Sequence, residues 1–458
     1  MGYQRGSRSH VAVTLRQPVA GEGEKPGQRL TIVLAALVTT AIFGPYTEFA
    51  PGVRWEQVVL YGLVVLALPF TWARLRPSRS LSTVLSIWTL IIIISMIGVV
   101  APPLNTTGYP DGRLLAGIDN ICLPLSTMMV ALIWMAHADR ASLLRTVATV
   151  TVAAMSVNAV LALISTRLDI TWLLQMFWTN ERSEHEILLN PSAQVGRLTG
   201  IMVMPAEAGA LYGIALLASI WLLHSRPGPL IAVASLLTLG GLLTVSKVFI
   251  LGALPLAVLH LVRTGGGRTK RLIALGIGLV VGAMLVRGGL LTGWRGGQQL
   301  QGLAEPTGDL LRFYTAGRLG EESDLGTLAS AVISSSPFIG MGAGGLDVAY
   351  DGSWGEMIVV AGLVGVALLV GVGLVLVYAW WSQRDQTAES LFSGGLVLLA
   401  ISASVGLPVF TTASRVSSVL WLLLCLTVLA RRCDTDEAEP ALGLSAPPLS
   451  ASRTSLPM

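Results

Sequence analysis

Along most of this chain, apolar residues come in unbroken runs and not on one helical face or at alternating positions. A segment apolar on every side belongs in a bilayer or deep in a large core, and a helical crossing needs roughly 20 such residues. Candidate runs are Leu30–Thr47, Val58–Thr71, Leu81–Ala101, Leu114–Ala136, Thr146–Ser165, Thr199–Leu223, Leu230–Val245, Val248–Val262, Leu272–Leu290, Glu356–Trp381, Leu391–Val409 and Val416–Ala430. The predicted fold class is therefore all-α, a polytopic membrane helix bundle of about 12 transmembrane helices.

The polar positions set orientation. With the N-terminus inside, Arg74/Arg76/Arg79, Arg140/Arg145, Arg226, Arg263/Arg268/Lys270/Arg271, Arg384 and Arg431/Arg432 all fall in cytoplasmic turns, as the positive-inside rule requires. The pair Leu230–Val245 and Val248–Val262 is short for two spans and long for one. Only two crossings keep the Arg263–Arg271 cluster inside. Two external segments follow, 166–198 and 291–354, the second being a large loop between helices 9 and 10. Residues 1–29 form a polar N-terminus expected to be cytoplasmic and disordered, ahead of an uncleaved first span. Residues 30–432 form the transmembrane bundle, and 433–458 a disordered cytoplasmic tail.

Composition agrees. Of 458 residues 53% are hydrophobic and 12% charged, half of the ~25% charge usual in soluble domains. The net charge of +4 is spread over loop ends, which argues against a nucleic-acid partner. Cys122, Cys425 and Cys433 show no paired spacing, and no histidine pair has metal-ligand spacing, so no metal and no cofactor are expected.

The expected place for chemistry is the polar island at 291–354, where arginines, carboxylates and glycines collect between two spans. Arg312 and Arg318 precede Glu321, Glu322 and Asp324, a cluster that usually means a solvated face. Asp347, Asp351 and Glu356 lie before or at the start of the tenth span, where a carboxylate can act as general base. The run Gly340, Gly342, Gly344, Gly345 mimics a nucleotide loop, but no strand precedes it. Arg197 is either an interfacial anchor or a phosphate-binding group. Glu207, within the same span, is either a structural hydrogen-bonding group or a functional carboxylate. Lys247 stands at the predicted external turn between the two short spans. Asp119 and Asn120 are weaker candidates, with helix packing as the alternative. Of the histidines only His185 is predicted external.

In these residues the chain resembles the family of O-antigen ligases and O-antigen polymerases. Arg197–Gly213 looks like the family's Arg-x-x-Gly segment entering a span. Leu236–Val248 looks like its apolar run ending in Ser-Arg, with Lys247 where Arg is usual. Gly317–Gly365 looks like its signature loop, with Arg318, then Pro337 to Gly342, then Ala361–Gly365. The resemblance implies metal-independent, inverting transfer of oligosaccharide repeat units from a polyprenyl-diphosphate carrier at the outer face of the cytoplasmic membrane, in cell-surface polysaccharide synthesis. Arg197, Lys247 and Arg318 would clamp the diphosphate. The ligase His-Asn pair is absent, and its register gives Asp351-Gly352, so a polymerase with Asp351 as base fits better. Other polysaccharide-assembly proteins are further expected partners, besides the lipid bilayer. The alternatives are a ligase to lipid or protein, with His185 as base, and a 12-helix secondary transporter or flippase.

Overall fold

The computed structural model describes residues 27–45, 47–50, 53–178, 196–263, 276, 324–348, 350, 352–385, 387–411 and 414–430. Within them the architecture is helical apart from one small hairpin, β1 (Glu48–Ala50) paired antiparallel with β2 (Val53–Arg54). The long helices are α2 (Trp55–Thr71), α3 (Arg79–Val100), α4 (Leu114–His137), α5 (Arg140–Ile164), α7 (Pro205–Leu223) and α11 (Ser353–Ser382). Shorter ones are α1 (Gln28–Ile42), α6 (Thr171–Leu174), α8 (Pro227–Leu243), α9 (Leu254–Arg263), α10 (Asp324–Ser335), α12 (Ala388–Ser404) and α13 (Arg415–Leu424). Wider π-helical turns lead into α9 (Val248–Ala253) and out of α13 (Cys425–Leu429).

Six of these helices are long and apolar enough to cross a membrane, counting the short 3-10 turn that extends α2 to Arg74. The 22 residues of α3 span about 33 Å at 1.5 Å per residue, against a hydrocarbon core of roughly 30 Å. The other candidate runs that can be compared coincide with apolar helices of 15 to 17 residues, and Leu272–Leu290 lies outside the described residues. The protein is therefore a multi-helix one with six candidate spans among the described residues. One run is shorter than its apolar stretch suggests: Thr199–Leu223 becomes helical only at Pro205. Its first residues leave the helix because partners elsewhere in the fold claim their backbone groups.

Start signals are local. Ser78, Asp139, Thr387 and Ser414 each accept a hydrogen bond from a first-turn amide, satisfying a donor the helix itself leaves open. Pro205 and Pro227 occupy first-turn positions, where a missing N–H costs nothing. The core is centred on α7, buried continuously from Glu207 to Ile220, and on α13, buried throughout. Trp88 of α3 packs edge-on against Trp421 of α13 with centroids 5.3 Å apart.

The bundle has two distinct ends. At one, Arg140 binds Glu389 at 2.7 Å and the Leu426 carbonyl at 2.7 Å, Ser78 donates to the Leu429 carbonyl, and Gln383 reaches Val428 at 3.3 Å. At the other, Arg415 joins α1, the 3-10 turn Gln175–Phe177 that follows α6 and the segment before α7, and the α3–α4 connection pairs with Leu346. The stretch from α8 to α9 doubles back on itself. Leu243, closing α8, bonds Leu198 at the Arg415 end. His260, near the end of α9, returns to within electrostatic reach of His224, at the end of α7. The chain thus reverses at 244–247. Exposed aromatics mark both ends: Phe49, Trp55 and Trp172 at one, Phe70, Trp72, Tyr378 and Trp381 at the other, the distribution expected of interfacial anchors.

Candidate functional site

At the Arg415 end the chain between 196 and 204 enters the bundle without forming a helix. Backbone groups there must be paired internally, because neither lipid nor a packed core offers hydrogen bonds. Asn158, fully buried on α5, supplies two of the partners. Its Nδ2 donates to the Thr199 carbonyl at 3.1 Å and to the Tyr212 hydroxyl at 3.0 Å, while its Oδ1 accepts from Ile201 N at 2.7 Å. Trp178 donates to the Gly200 carbonyl at 3.2 Å, and Leu198 N to the Leu243 carbonyl at 2.9 Å. Gly200 adopts φ +63°, and a Cβ there would lie 2.0 Å from Asn158 Oδ1. Only glycine suits both conditions.

This segment carries Arg197, half-buried, and delivers the chain into α7 with Glu207 in its first turn, 8% exposed. A carboxylate there faces the positive end of the helix dipole. Opposite lies the reversal at 244–247. Val245 has φ +49°, the one positive φ at a non-glycine residue among the described ones, and a β-branched residue in that conformation stores strain. Ser246 is buried against α7 so closely that a Cβ on Gly209 would meet its Oγ at 2.2 Å, and that Oγ has no hydrogen-bond partner among the described residues. Lys247, half-buried, then opens the π-helical turn, a distortion common at functional positions.

Three sequence candidates therefore share one locality. Arg197 adjoins Leu198, which bonds Leu243; Lys247 adjoins Ser246, which touches Gly209; Glu207 lies two residues before Gly209. Arg197 and Lys247 thus lie on segments that flank the α7 N-terminus, where the Glu207 carboxylate already stands, and the buried Ser246 hydroxyl is left without a partner among the described residues.

A second non-helical insertion, 336–346, lies at the same end between α3 and α11. Ala343 N bonds the Ser95 carbonyl at 2.8 Å and Met341 N the Val359 carbonyl at 2.6 Å. Leu363 N bonds the Pro337 carbonyl at 2.8 Å, across a break in α11 at Gly362 (φ +62°, ψ −160°). A Cβ on Gly342 would sit 2.6 Å from the backbone of Gly98. The glycine run is thus a close-packing device, in keeping with its rejection as a nucleotide loop. Tyr350 closes the segment by exchanging hydrogen bonds with Leu346 at 2.9 and 3.0 Å, and burial pushes its phenol above the ordinary range.

Glu356, at the start of α11, is 1% exposed; Asn120 donates to it at 3.4 Å and the Thr411 hydroxyl donates to its other oxygen. Tyr61 donates to Asp119 at 2.5 Å, and Arg54 pairs with Glu56 at 3.0 Å. Asp119 and Asn120 therefore tie α4 to α2 and α11, the packing role. Arg415, which carried no signal as part of a run boundary, is a buried hub joining the 196–204 insertion to the end of α1 and the turn at 175–177. Its one clue is a charge abutting an apolar stretch that is buried to its end.

Asp351, Arg318, Arg312 and His185 lie outside the described residues. Among those described, no group of three His, Cys, Asp or Glu side chains could hold a metal ion. No family model matches this chain, and no curated protein matches it.

Proposed function

We propose that this protein transfers oligosaccharide repeat units from a polyprenyl-diphosphate carrier to a growing, carrier-linked glycan, as a metal-independent inverting polymerase. The reading takes the bundle as about 12 helices in the cytoplasmic membrane, with both termini cytoplasmic and the Arg415 end facing outward. The observation that supports it is that the segments bearing Arg197 and Lys247, distant in sequence, are joined by the Leu198–Leu243 main-chain bond. A lipid diphosphate presents its strongly anionic head at one bilayer depth, where cations and the α7 N-terminus meet it. Neutralising the charge that develops on the departing diphosphate lowers the barrier to glycosyl transfer. In this scheme Arg318 completes the clamp. Asp351 takes the proton of the acceptor hydroxyl as that oxygen attacks the anomeric carbon and the diphosphate leaves. The resemblance to O-antigen polymerases and ligases supports the assignment, and the ligase version differs only in acceptor.

The test is direct. Purified protein in nanodiscs receives lipid-linked repeat units, and product length is measured for wild type, Arg197→Ala, Lys247→Ala and Asp351→Asn. Loss of polymer in all three variants is the expected result; chain lengths unchanged in every variant would remove the reading. A secondary transporter is the second reading, favoured by the break in α11 at Gly362 and the buried carboxylates Asp119, Glu207 and Glu356, features of substrate pathways in such proteins. Substrate uptake into proteoliposomes, abolished by Glu207→Gln, would establish it instead.

A further inference from the structure

Arg415 occupies a costly position. It is 1% exposed and sits in the first turn of α13, where the helix dipole opposes a cation. A buried charge persists only when hydrogen-bonded. The planar guanidinium meets that condition with four carbonyls from three separate stretches of chain. Nε donates to Ile42 at 3.1 Å, Nη2 to Gly44 at 3.0 Å and to Phe177 at 3.1 Å, and Nη1 to Ile201 at 3.0 Å. Ile42 and Gly44 end α1, Phe177 ends the short helical stretch that begins at Thr171, and Ile201 belongs to the insertion bearing Arg197. Four residues before Arg415, Thr411 donates to Glu356 beside the second insertion.

We propose that Arg415 is the positioning residue of the anion site: by fixing the Ile201 carbonyl against α1 and the 171–177 stretch, it sets where the Arg197 guanidinium stands. The proposal rests on the reading of that site given above. It has a chemical signature, since lysine keeps the charge but lacks the fork that reaches several carbonyls at once. A role that needed only positive charge would survive Arg415→Lys.

The experiment uses the full-length protein in nanodiscs, with hydrogen exchange as one readout and binding of a long-chain polyprenyl diphosphate as the other. Arg415→Lys is expected to speed exchange about tenfold at 196–204, 42–44 and 175–178, leave α3 unchanged, and weaken probe binding about tenfold, which is some 1.4 kcal/mol. Arg197→Ala should weaken binding without altering exchange. Should Arg415→Lys prove too unstable to purify, Ser414→Ala loosens the same turn by removing the cap on Ser417 N and should give the same pattern more weakly. Wild-type exchange at 196–204 in these variants overturns the proposal. So does loosened exchange with wild-type binding, which makes Arg415 structural alone. A wild-type protein that ignores the probe, while Arg415→Lys still frees 196–204, overturns the function reading and leaves the anchoring by Arg415 standing.

Discussion

The two insertions at the Arg415 end solve the same problem in different ways. Both place irregular backbone inside a helical bundle, where every amide and carbonyl must find a partner. The 336–346 insertion does so with glycine and main chain: Ala343 and Met341 bond carbonyls of neighbouring helices, and Gly342 lies against Gly98. The 196–204 insertion does so mainly with side chains, Asn158 and Arg415, and carries Arg197 half-buried. Backbone-to-backbone contact leaves no room for a ligand. Side-chain anchoring of 196–204 leaves Arg197 half-buried, so that insertion is where binding is expected.

The sharpest break of this comparison is at Gly342. A valine there forces Cβ to 2.6 Å from the Gly98 carbonyl carbon at φ +85°, and neither backbone can yield, so roughly 4 kcal/mol of stability should be lost. Thermal unfolding in detergent measures it, and residual activity should track the folded fraction. A valine variant as stable as wild type would show that the insertion is loosely packed.

Next in size, Arg197→Ala and Lys247→Ala should each lower polymerisation about 100-fold, or some 2.7 kcal/mol of transition-state stabilisation, with melting temperatures within about 2 °C of wild type. Loss of activity that instead followed loss of fold would make the two insertions alike.

How much of this was legible beforehand follows from where the information resides. The helices were readable because a bilayer crossing is written as length and hydropathy in one stretch of sequence. The polar break at Ser246–Lys247 was the sequence mark of the reversal at 244–247, whereas the basic cluster used to orient it lies, apart from Arg263, outside the described residues. The late start of α7 was not readable. Thr199–Met204 is apolar enough to look like the first turns of a span, and what removes it from the helix is Asn158, 41 positions before Thr199. Arg415 was not singled out, because its four carbonyl partners come from three distant stretches and carbonyls leave no mark in a sequence. Arg197 and Lys247 were picked out by charge and resemblance, and their shared locality depends on one main-chain bond, Leu198 to Leu243. Asp351 and Arg318, drawn from the same resemblance, lie outside the described residues, so the base and third cation rest on the sequence alone.

Val245 gives a smaller, sign-sensitive test. Changing it to glycine relieves strain of about 1–2 kcal/mol but gives up a buried side chain worth about 1.5 kcal/mol and adds chain entropy to the unfolded state. The terms nearly cancel, so stability should shift by less than about 1 kcal/mol. Val147, equally buried but in regular α5, has no strain to relieve, and its glycine variant should lose about 3 kcal/mol through the lost burial, the cavity and helix propensity. Equal losses at the two positions would mean that the reversal at 244–247 carries no strain.

The smallest effect belongs to the opposite end of the bundle. Arg140 and Glu389 meet at 2.7 Å with side chains 27% and 20% exposed, and Arg140 also donates to the Leu426 carbonyl at 2.7 Å. Partial exposure screens such a pair, so a double-mutant cycle with Arg140→Gln and Glu389→Gln should return a coupling of about 0.5–1 kcal/mol. Neither change should alter polymer length, because nothing at that end adjoins the insertions. Here charge serves only to close the ends of α5 and α12, whereas at the Arg415 end charge is held beside backbone that has been kept out of a helix. A change in product length from the Arg140 variants would mean that strain passes from one end to the other through α5, whose Asn158 holds the 196–204 insertion, and the separation of a closing end from a binding end would fail.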